Sequence, residues 1–356
     1  MRRGRTIDAE VWHALVRGSR RGPLAATARL GLRVASWPYG LAVQARNRAF
    51  DRGWKKVQRA AVPVVSVGNL TLGGTGKTPC VEWIARFFRD RDVQVAILSR
   101  GYGSEHGRND EAMVLEENLP DVPHLQGADR VALAATAVEE LEAELLILDD
   151  GFQHRRLHRD LDVVLIDATR PPACDALFPR GTLREPASGL RRAGAILLTR
   201  CDQVAASEVD AIRAWLNRRA PAVPVATTEH RPTELVDCDG ATAPADSLAG
   251  KPVGAFCGIG NPAAFRATLE ALGAKVADFR AFPDHHAYTR ADVDALTRWA
   301  ESLPADAVLV TTQKDWVKLR TPALAGRPLW AVRIGLTFRD GEEAFASVLA
   351  KVMPGE

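Results

Sequence analysis

The run Ser66-Val67-Gly68-Asn69-Leu70-Thr71-Leu72-Gly73-Gly74-Thr75-Gly76-Lys77-Thr78-Pro79 decides the fold. Residues 62–67 form a short β-branched strand signal, a glycine-rich turn follows, and Pro79 falls where a helix begins. Val81, Ile84 and Phe88 then recur at helical spacing. In such a strand–turn–helix unit, successive backbone N–H groups form an anion-binding concavity, and the helix points the positive end of its dipole at the same spot. Gly73, Gly74, Thr75, Gly76, Lys77 and Thr78 are therefore the candidate nucleotide-binding residues. Lys77 would reach the β- and γ-phosphates, and the Thr78 hydroxyl would ligate Mg²⁺. The general phosphate-loop pattern wants Gly five residues before Gly76, where this chain has Thr71.

Outward from that loop, apolar runs at 93–98, 145–148, 163–166 and 195–198 alternate with helical patterns such as 127–143. Strands alternating with helices imply a mostly parallel sheet covered on both faces. A Pro-, Gly- and Asp-rich stretch at 218–250 is expected to be a linker carrying a strand or two, and a second α/β pattern follows at 253–257, 262–272, 307–311 and 329–334. The expected class is α/β: a P-loop NTPase-like parallel-sheet domain over 61–217 joined to a smaller α/β domain over 251–356.

The first 60 residues stand apart. The whole chain of 356 residues carries a net charge of only +3, but residues 1–60 hold 14 Lys and Arg against three Asp and Glu. That net of +11 leaves −8 for the remainder, and such asymmetry points to an anionic partner, a membrane surface or nucleic acid. Residues 8–17 suggest a short helix. The uncharged run 34–45 is too short to span a bilayer, which takes about 20 apolar residues, so an interfacial segment is expected, with Trp37, Tyr39 and Trp54 at headgroup depth. The alternative is a helix packed on its own protein. Five scattered cysteines without C-x-x-C spacing suggest neither a disulfide framework nor a zinc site.

Asp149 and Asp150 end an apolar strand, where a P-loop protein places its metal-organising carboxylate. Asp149 is the candidate metal ligand beside Thr78, and Asp150 would orient substrate or metal water. An exposed turn with an Asp at a helix cap is the plainer reading of the pair. His154 and His158 are spaced for one helix face, but lie among Arg155, Arg156 and Arg159 without an acidic third ligand, so solvated or structural histidines are expected. His285 and His286 follow Phe282-Pro283-Asp284; one of them is either a catalytic partner oriented by a carboxylate or part of a turn.

Taken together, these strings resemble the tetraacyldisaccharide 4'-kinase family of lipid A biosynthesis. The resemblance rests on the loop above, Ser99-Arg100-Gly101-Tyr102-Gly103, Leu148-Asp149-Asp150-Gly151-Phe152-Gln153-His154, Arg159-Asp160-Leu161-Asp162, Leu183-Arg184-Glu185-Pro186, Phe256-Cys257-Gly258-Ile259-Gly260-Asn261-Pro262 and Thr312-Gln313-Lys314-Asp315, in order from about residue 20 to 335. Thr71 is itself this family's pattern. The resemblance implies transfer of the γ-phosphate of ATP, with Mg²⁺, to the 4'-hydroxyl of a lipid A disaccharide 1-phosphate. It implies peripheral contact with the cytoplasmic face of the bacterial inner membrane and no nucleic-acid partner. By resemblance, Lys77, Asp149 and Asp150 carry over as catalytic residues. Asp110, in Asn109-Asp110-Glu111, is the implied general base, and the Asp284-His285 string makes His285 its implied partner. Thr312-Gln313-Lys314-Asp315 is expected on the nucleotide side. One rival is a P-loop nucleotide hydrolase with a regulatory or assembly role, because Thr199-Arg200-Cys201-Asp202 is faintly similar to a guanine-reading loop. The other is a nucleic-acid-binding module built on the basic N-terminus.

Overall fold

The computed structural model describes residues 9–16, 19–101, 110–172 and 175–355. Tyr102, Gly103 and Asn109 lie outside the described residues. The chain opens with α1 (Ala9–Val16) and α2 (Pro23–Asp51). The first α/β block comprises β1 (Val64–Asn69), α3 (Lys77–Arg89), β2 (Val95–Ser99), α4 (Asp110–Asn118), β3 (His124–Gln126), α5 (Arg130–Glu139), β4 (Leu145–Asp149), β5 (Leu161–Asp167), β6 (Ala195–Thr199), α6 (Ala206–Asn217) and β7 (Val225–Val236). The second comprises β8 (Thr242–Pro244), β9 (Pro252–Cys257), α7 (Pro262–Ala271), β10 (Lys275–Ala281), α8 (Arg290–Glu301), β11 (Val308–Thr312), α9 (Gln313–Leu319), β12 (Ala323–Leu324), β13 (Arg327–Asp340) and α10 (Glu342–Ala350). The stretch 218–250 thus holds the 12-residue strand β7 as well as β8.

One sheet runs through both blocks in the order β10-β9-β11-β13-β7-β6-β5-β1-β4-β2-β3. Every neighbouring pair along that path is parallel except β13 with β7. β1, β2, β5 and β6 are buried along their whole length, as strands covered on both faces must be, which explains their unbroken apolar character. α3 starts cleanly because Gly76 takes the left-handed conformation at its N-cap, and Pro79 lies in the first turn, where a missing N–H costs nothing.

The register of the antiparallel pair places the site. β6 ends beside β7 at Leu198↔Thr227, so β7 projects beyond the C-terminal edge of the first block. β13 pairs with that projection at Ala331↔Val236 and Val332↔Leu235, and β11 lies level with it at Thr312↔Val332. The second block therefore runs in the opposite sense, and the C-terminal ends of its strands face the C-terminal ends of the first block. From Thr228 to Leu235 the gap is about 23 Å at 3.3 Å per residue, a cleft that α4 and α9 bridge.

Gly68 in β1 is pressed against the turn that follows β4: a Cβ there would lie 2.6 Å from Phe152 Cβ and 2.8 Å from Phe152 N. Because backbone cannot swing aside, Gly68→Ala is expected to cost roughly 1–3 kcal/mol and to lower the thermal midpoint. A melting curve superimposable on that of the unaltered protein would contradict this close packing.

Candidate active site

The phosphate loop must aim its N–H groups inward, so its carbonyls need partners elsewhere. The structure supplies them. Thr199 Oγ1 donates to Thr75 O at 2.9 Å, and Arg200 Nη2 donates to Gly74 O at 2.9 Å. Arg200 is held in turn by Asp167. The Thr199-Arg200 element therefore braces the loop from the side. Leading into the loop, Leu72 N donates to Thr182 O and Arg184 N to Leu70 O, each at 2.7 Å. Gly73 and Gly76 have φ of 109° and 84°, a region open to glycine but costly for a residue with a Cβ. His230 of β7 lies against Gly76, its Cε1 2.0 Å from where a Cβ would be. Burial, reinforced by the Arg200 charge, pushes its imidazole down to about 4, so the ring is neutral. Nothing in the sequence around His230 announced it.

Lys77 Nζ lies 3.4 Å from Asp150 Oδ1, and Arg184 Nη1 lies 2.7 Å from Asp150 Oδ2. Burial alone would raise the Asp150 carboxyl, but the Lys77 and Arg184 charges outweigh it and hold it below the usual range. Asp150 has φ of 52°, which turns the chain sharply after β4 and aims its side chain at the loop. Asp149 differs. Its Oδ1 is sealed from solvent and has no hydrogen-bond partner. Burial pushes its carboxyl up to about 6 despite the Lys77 charge. A buried, unpartnered carboxylate oxygen at a strand end beside the loop suits a divalent cation. Mg²⁺ commonly uses one or two protein oxygens, with phosphates and water completing its shell. Asp149 offers one such oxygen, and Thr78 stands in the first turn of α3 at the loop. His154 is likewise driven down to about 4 by burial, helped by Arg130 and Arg156, while His158 pairs with Asp160 at 3.4 Å. Among the described residues, no group of three or more metal-ligating side chains forms.

Across the cleft, His285 Nδ1 lies 3.0 Å from Asp110 Oδ2. Asp110 opens α4, and His285 sits in the loop after β10 with φ of 56°. The His285 side chain is 67% exposed, so this pair is reachable from solvent. The structure thus forms two groups: Lys77 with Asp149 and Asp150 at the loop, and Asp110 with His285 on the facing edge. Glu111 joins them. Burial would raise its carboxyl, but the Lys314 and Lys77 charges prevail and lower it. Lys314 Nζ reaches Glu111 Oε1 at 3.1 Å. Thr312-Gln313-Lys314-Asp315 runs from the N-cap into the first turn of α9 and grips α4, with Gln313 also bonded to Asn118. Arg184 and Glu111 stood inside the strings already quoted, but spacing gave them no role because their partners are 34 residues or more distant.

The Asp149 environment has a consequence for stability. A carboxyl raised from 3.8 to about 6 in the folded chain is costly to ionise there. That cost is absent below about pH 4, grows as pH rises toward 6, and above that is roughly 3 kcal/mol. Asp149→Asn should therefore melt higher than the unaltered protein at pH 8 without Mg²⁺, and equally at pH 4, while losing phosphoryl transfer. Thermal melts at the two pH values check this; a variant that melts lower at pH 8 contradicts it.

Known proteins place this site in a family. The family model described as tetraacyldisaccharide-1-P 4'-kinase matches residues 28–354. A tetraacyldisaccharide 4'-kinase from Anaeromyxobacter dehalogenans is 43% identical over 354 residues, covering 93% of this chain and 92% of that one. One from Syntrophus aciditrophicus is 39% identical over 316 residues, covering 81% and 83%. A crystal structure of LpxK from Aquifex aeolicus in complex with ATP superposes with a TM-score of 0.75 at 31% identity, covering 92% of this chain and 99% of that one. With a family model matching residues 28–354 and relatives 39–43% identical over most of both chains, the chain belongs to the tetraacyldisaccharide 4'-kinase family.

Proposed function

We propose that this protein transfers the γ-phosphoryl group of ATP to the 4'-hydroxyl of tetraacyldisaccharide 1-phosphate, forming lipid IVA. The observation that carries the reading is the pairing of Asp110 with His285 opposite a braced phosphate loop whose neighbouring strand ends in Asp149-Asp150. Phosphoryl transfer asks a protein mainly for positioning and charge neutralisation. The loop N–H groups and Lys77 hold the phosphates. Asp150, itself held by Arg184, fixes the Lys77 ammonium. Mg²⁺, held by Thr78 and Asp149, would offset charge on the β- and γ-phosphates. The acceptor oxygen bonds to the γ-phosphorus as the bond from that phosphorus to the β,γ-bridging oxygen breaks. Its proton passes to Asp110, and ADP leaves.

The acceptor is an anionic amphiphile, and the surface beside the site suits one. A cavity of about 460 Å³ lies between the end of α2 and the turn after β4, lined by Arg46, Phe50, Lys55, Lys56, Arg155 and Arg156 among others. Gln153, which also lines it, donates to Asn69 O at the root of the loop at 2.9 Å. A phosphorylated headgroup held there would lie beside the transfer site. α2 is packed and exposed at once. Its Ser36, Gly40 and Val43 are buried, Ser36 Oγ donates to Leu177 O, and Tyr39 OH donates to Arg184 O at 2.7 Å. Tyr39 therefore serves the protein interior instead of a headgroup layer. On the other side, Leu30, Val34, Trp37 and Leu41 recur at i, i+4, i+7 and i+11 and are 62–74% exposed. Among the described residues no helix is long and apolar enough to cross a membrane. An apolar stripe on a basic helix fits a helix lying in the interface of an anionic bilayer, at the cytoplasmic face, where ATP is available.

Lys77→Ala should keep its fold and lose roughly 10²–10³-fold or more in turnover, as expected for a charge at the transferred phosphate. The assay is transfer of labelled γ-phosphate from ATP to purified tetraacyldisaccharide 1-phosphate, with and without Mg²⁺. Failure of the unaltered protein to phosphorylate that acceptor would sink the reading. The double substitution Trp37→Glu, Leu41→Glu should reduce sedimentation with anionic phospholipid vesicles and raise KM for dispersed lipid, leaving KM for ATP unchanged. Undiminished sedimentation would count against the stripe.

A further inference from the structure

Asp110 is gripped by a second cation that the reading above does not use. Lys318 of α9 places its Nζ 3.3 Å from Asp110 Oδ2 and 3.4 Å from Asp315 Oδ1. The side chain is only 12% exposed, and the nitrogen is sealed from solvent without a well-aligned hydrogen bond. Its anchor is rigid. Asp315 is fully buried, and its Oδ2 accepts from Gly258 N at 2.9 Å and Thr312 Oγ1 at 2.6 Å. Gly258 holds the other arm too, because His285 N donates to Gly258 O at 3.1 Å. One residue of the second block, Gly258, thus braces both partners of Asp110 through its N–H and its C=O. Both partners reach the same oxygen, Oδ2, and among the described residues no hydrogen bond reaches Oδ1.

Resting on the kinase reading, we propose that Lys318 is a positioning residue for phosphoryl transfer: with His285 it pins Oδ2 of Asp110 and so leaves Oδ1 to take the proton of the acceptor hydroxyl. The plainer role for a lysine beside a buried aspartate is to neutralise it, and Asp315 is such an aspartate. That role alone would need no contact with Asp110, which comes from the other side of the cleft. A carboxylate held at one oxygen by a hydrogen bond and an ion pair cannot swing about its χ2 without breaking both contacts. Its second oxygen then has a fixed direction, which is what a proton acceptor in a directed transfer needs. The charges facing Asp110 are His285 with Asp284 behind it from the loop after β10, Lys318, Asp315 and Lys314 from α9, and Glu111 on its own helix. Burial would raise the Asp110 carboxyl, but the His285 hydrogen bond and the Lys318 charge outweigh it and lower it.

The test is the pH dependence of kcat for transfer from ATP to tetraacyldisaccharide 1-phosphate, measured on the full chain. Asp110 acts when ionised, so activity is lost as pH falls through its pKa. Taking away the Lys318 charge raises that pKa, so the loss sets in at higher pH. Lys318→Met should lower kcat roughly 10–100-fold, leave KM for ATP within about twofold, and move the acid limb upward. Lys318→Arg should return the acid limb toward its original position. Lys318→Gln, which can still donate to Asp315, guards against a folding failure of Lys318→Met and should show the same shifted limb with a near-normal melting temperature. In an Asp110→Asn background, Lys318→Met should cost little more, because groups acting as a unit lose activity non-additively. An unmoved acid limb in the uncharged variants, full additivity with Asp110→Asn, or loss of fold in both Lys318→Met and Lys318→Gln would overturn the proposal and reduce Lys318 to a structural partner of Asp315. Absence of transfer by the unaltered protein would instead refute the kinase reading itself.

Discussion

The staggered antiparallel pairing of β7 with β13 is the contact on which the site depends. Two parallel blocks joined through a parallel pair would have their strand ends facing the same way, side by side. Here β7 overshoots the first block, and β13 hangs the second block on the overshoot, inverted. Ligands in parallel sheets gather at the carboxyl ends of strands. Inversion turns two such ends toward each other, so the phosphate loop after β1 confronts the loops after β9 and β10 and the start of α9. Buried apolar clusters on either side of the pair hold the two blocks to their shared sheet, and the pairing runs from Ala331↔Val236 to Asp340↔Thr227.

Within that frame, one helix carries the communication between edges. α4 belongs to the first block yet reaches into the second: Asp110 pairs with His285 and Lys318, Glu111 pairs with Lys314, and the Asn118 amide bonds to that of Gln313. Three of those partners lie on α9, whose N-cap Thr312 and buried Asp315 fix its start. Glu111 also sits in the field of Lys77. The Lys77 charge thus acts on the same Glu111 carboxyl that pairs with Lys314 of the second block. This is the arrangement expected where a cleft assembles its reacting groups from both sides and excludes water as it does so.

Local chemistry was legible in the sequence where it is local in the chain. The loop 73–78 and the Asp149-Asp150 strand end need only a few consecutive residues, and most of the strands were visible as apolar runs because both sheet faces are covered. Asp110 and His285 were named by resemblance, since nothing in a string of 356 residues says that positions 175 apart meet. β7 was hidden by Pro224 and Pro232 and by its alternation of Thr, Glu, His and Arg, which suits a strand crossing an open cleft more than one buried in a core. Lys318 and His230 were missed for a related reason: each matters through a partner supplied by the antiparallel join or by the helix it positions, and neither falls in a recognisable string. The two faces of α2 show the limit of composition. The same helix answers to both the packed and the interfacial reading, and only its contacts tie Tyr39 to the rest of the protein and leave Trp37 exposed.

In the proposed transfer, the lowered pKa of Asp110 is at first sight a defect, because a weak base takes a proton poorly from a sugar hydroxyl. The transition state resolves this. In a loose phosphoryl transfer the acceptor oxygen keeps its proton until bonding to phosphorus is well advanced, and only then does the hydroxyl become strongly acidic. A carboxylate of ordinary or even lowered basicity is then sufficient, provided it is ionised and already pointing at the proton. Burial would work against ionisation, and a free carboxylate would work against direction. His285 and Lys318 answer both at one oxygen: they favour the charged form, and they leave the other oxygen aimed. Strengthening the base by removing those cations would raise its pKa and cost it orientation. As the base of the proposed transfer, Asp110 would have alignment in preference to basicity, which suits a reaction whose proton leaves late.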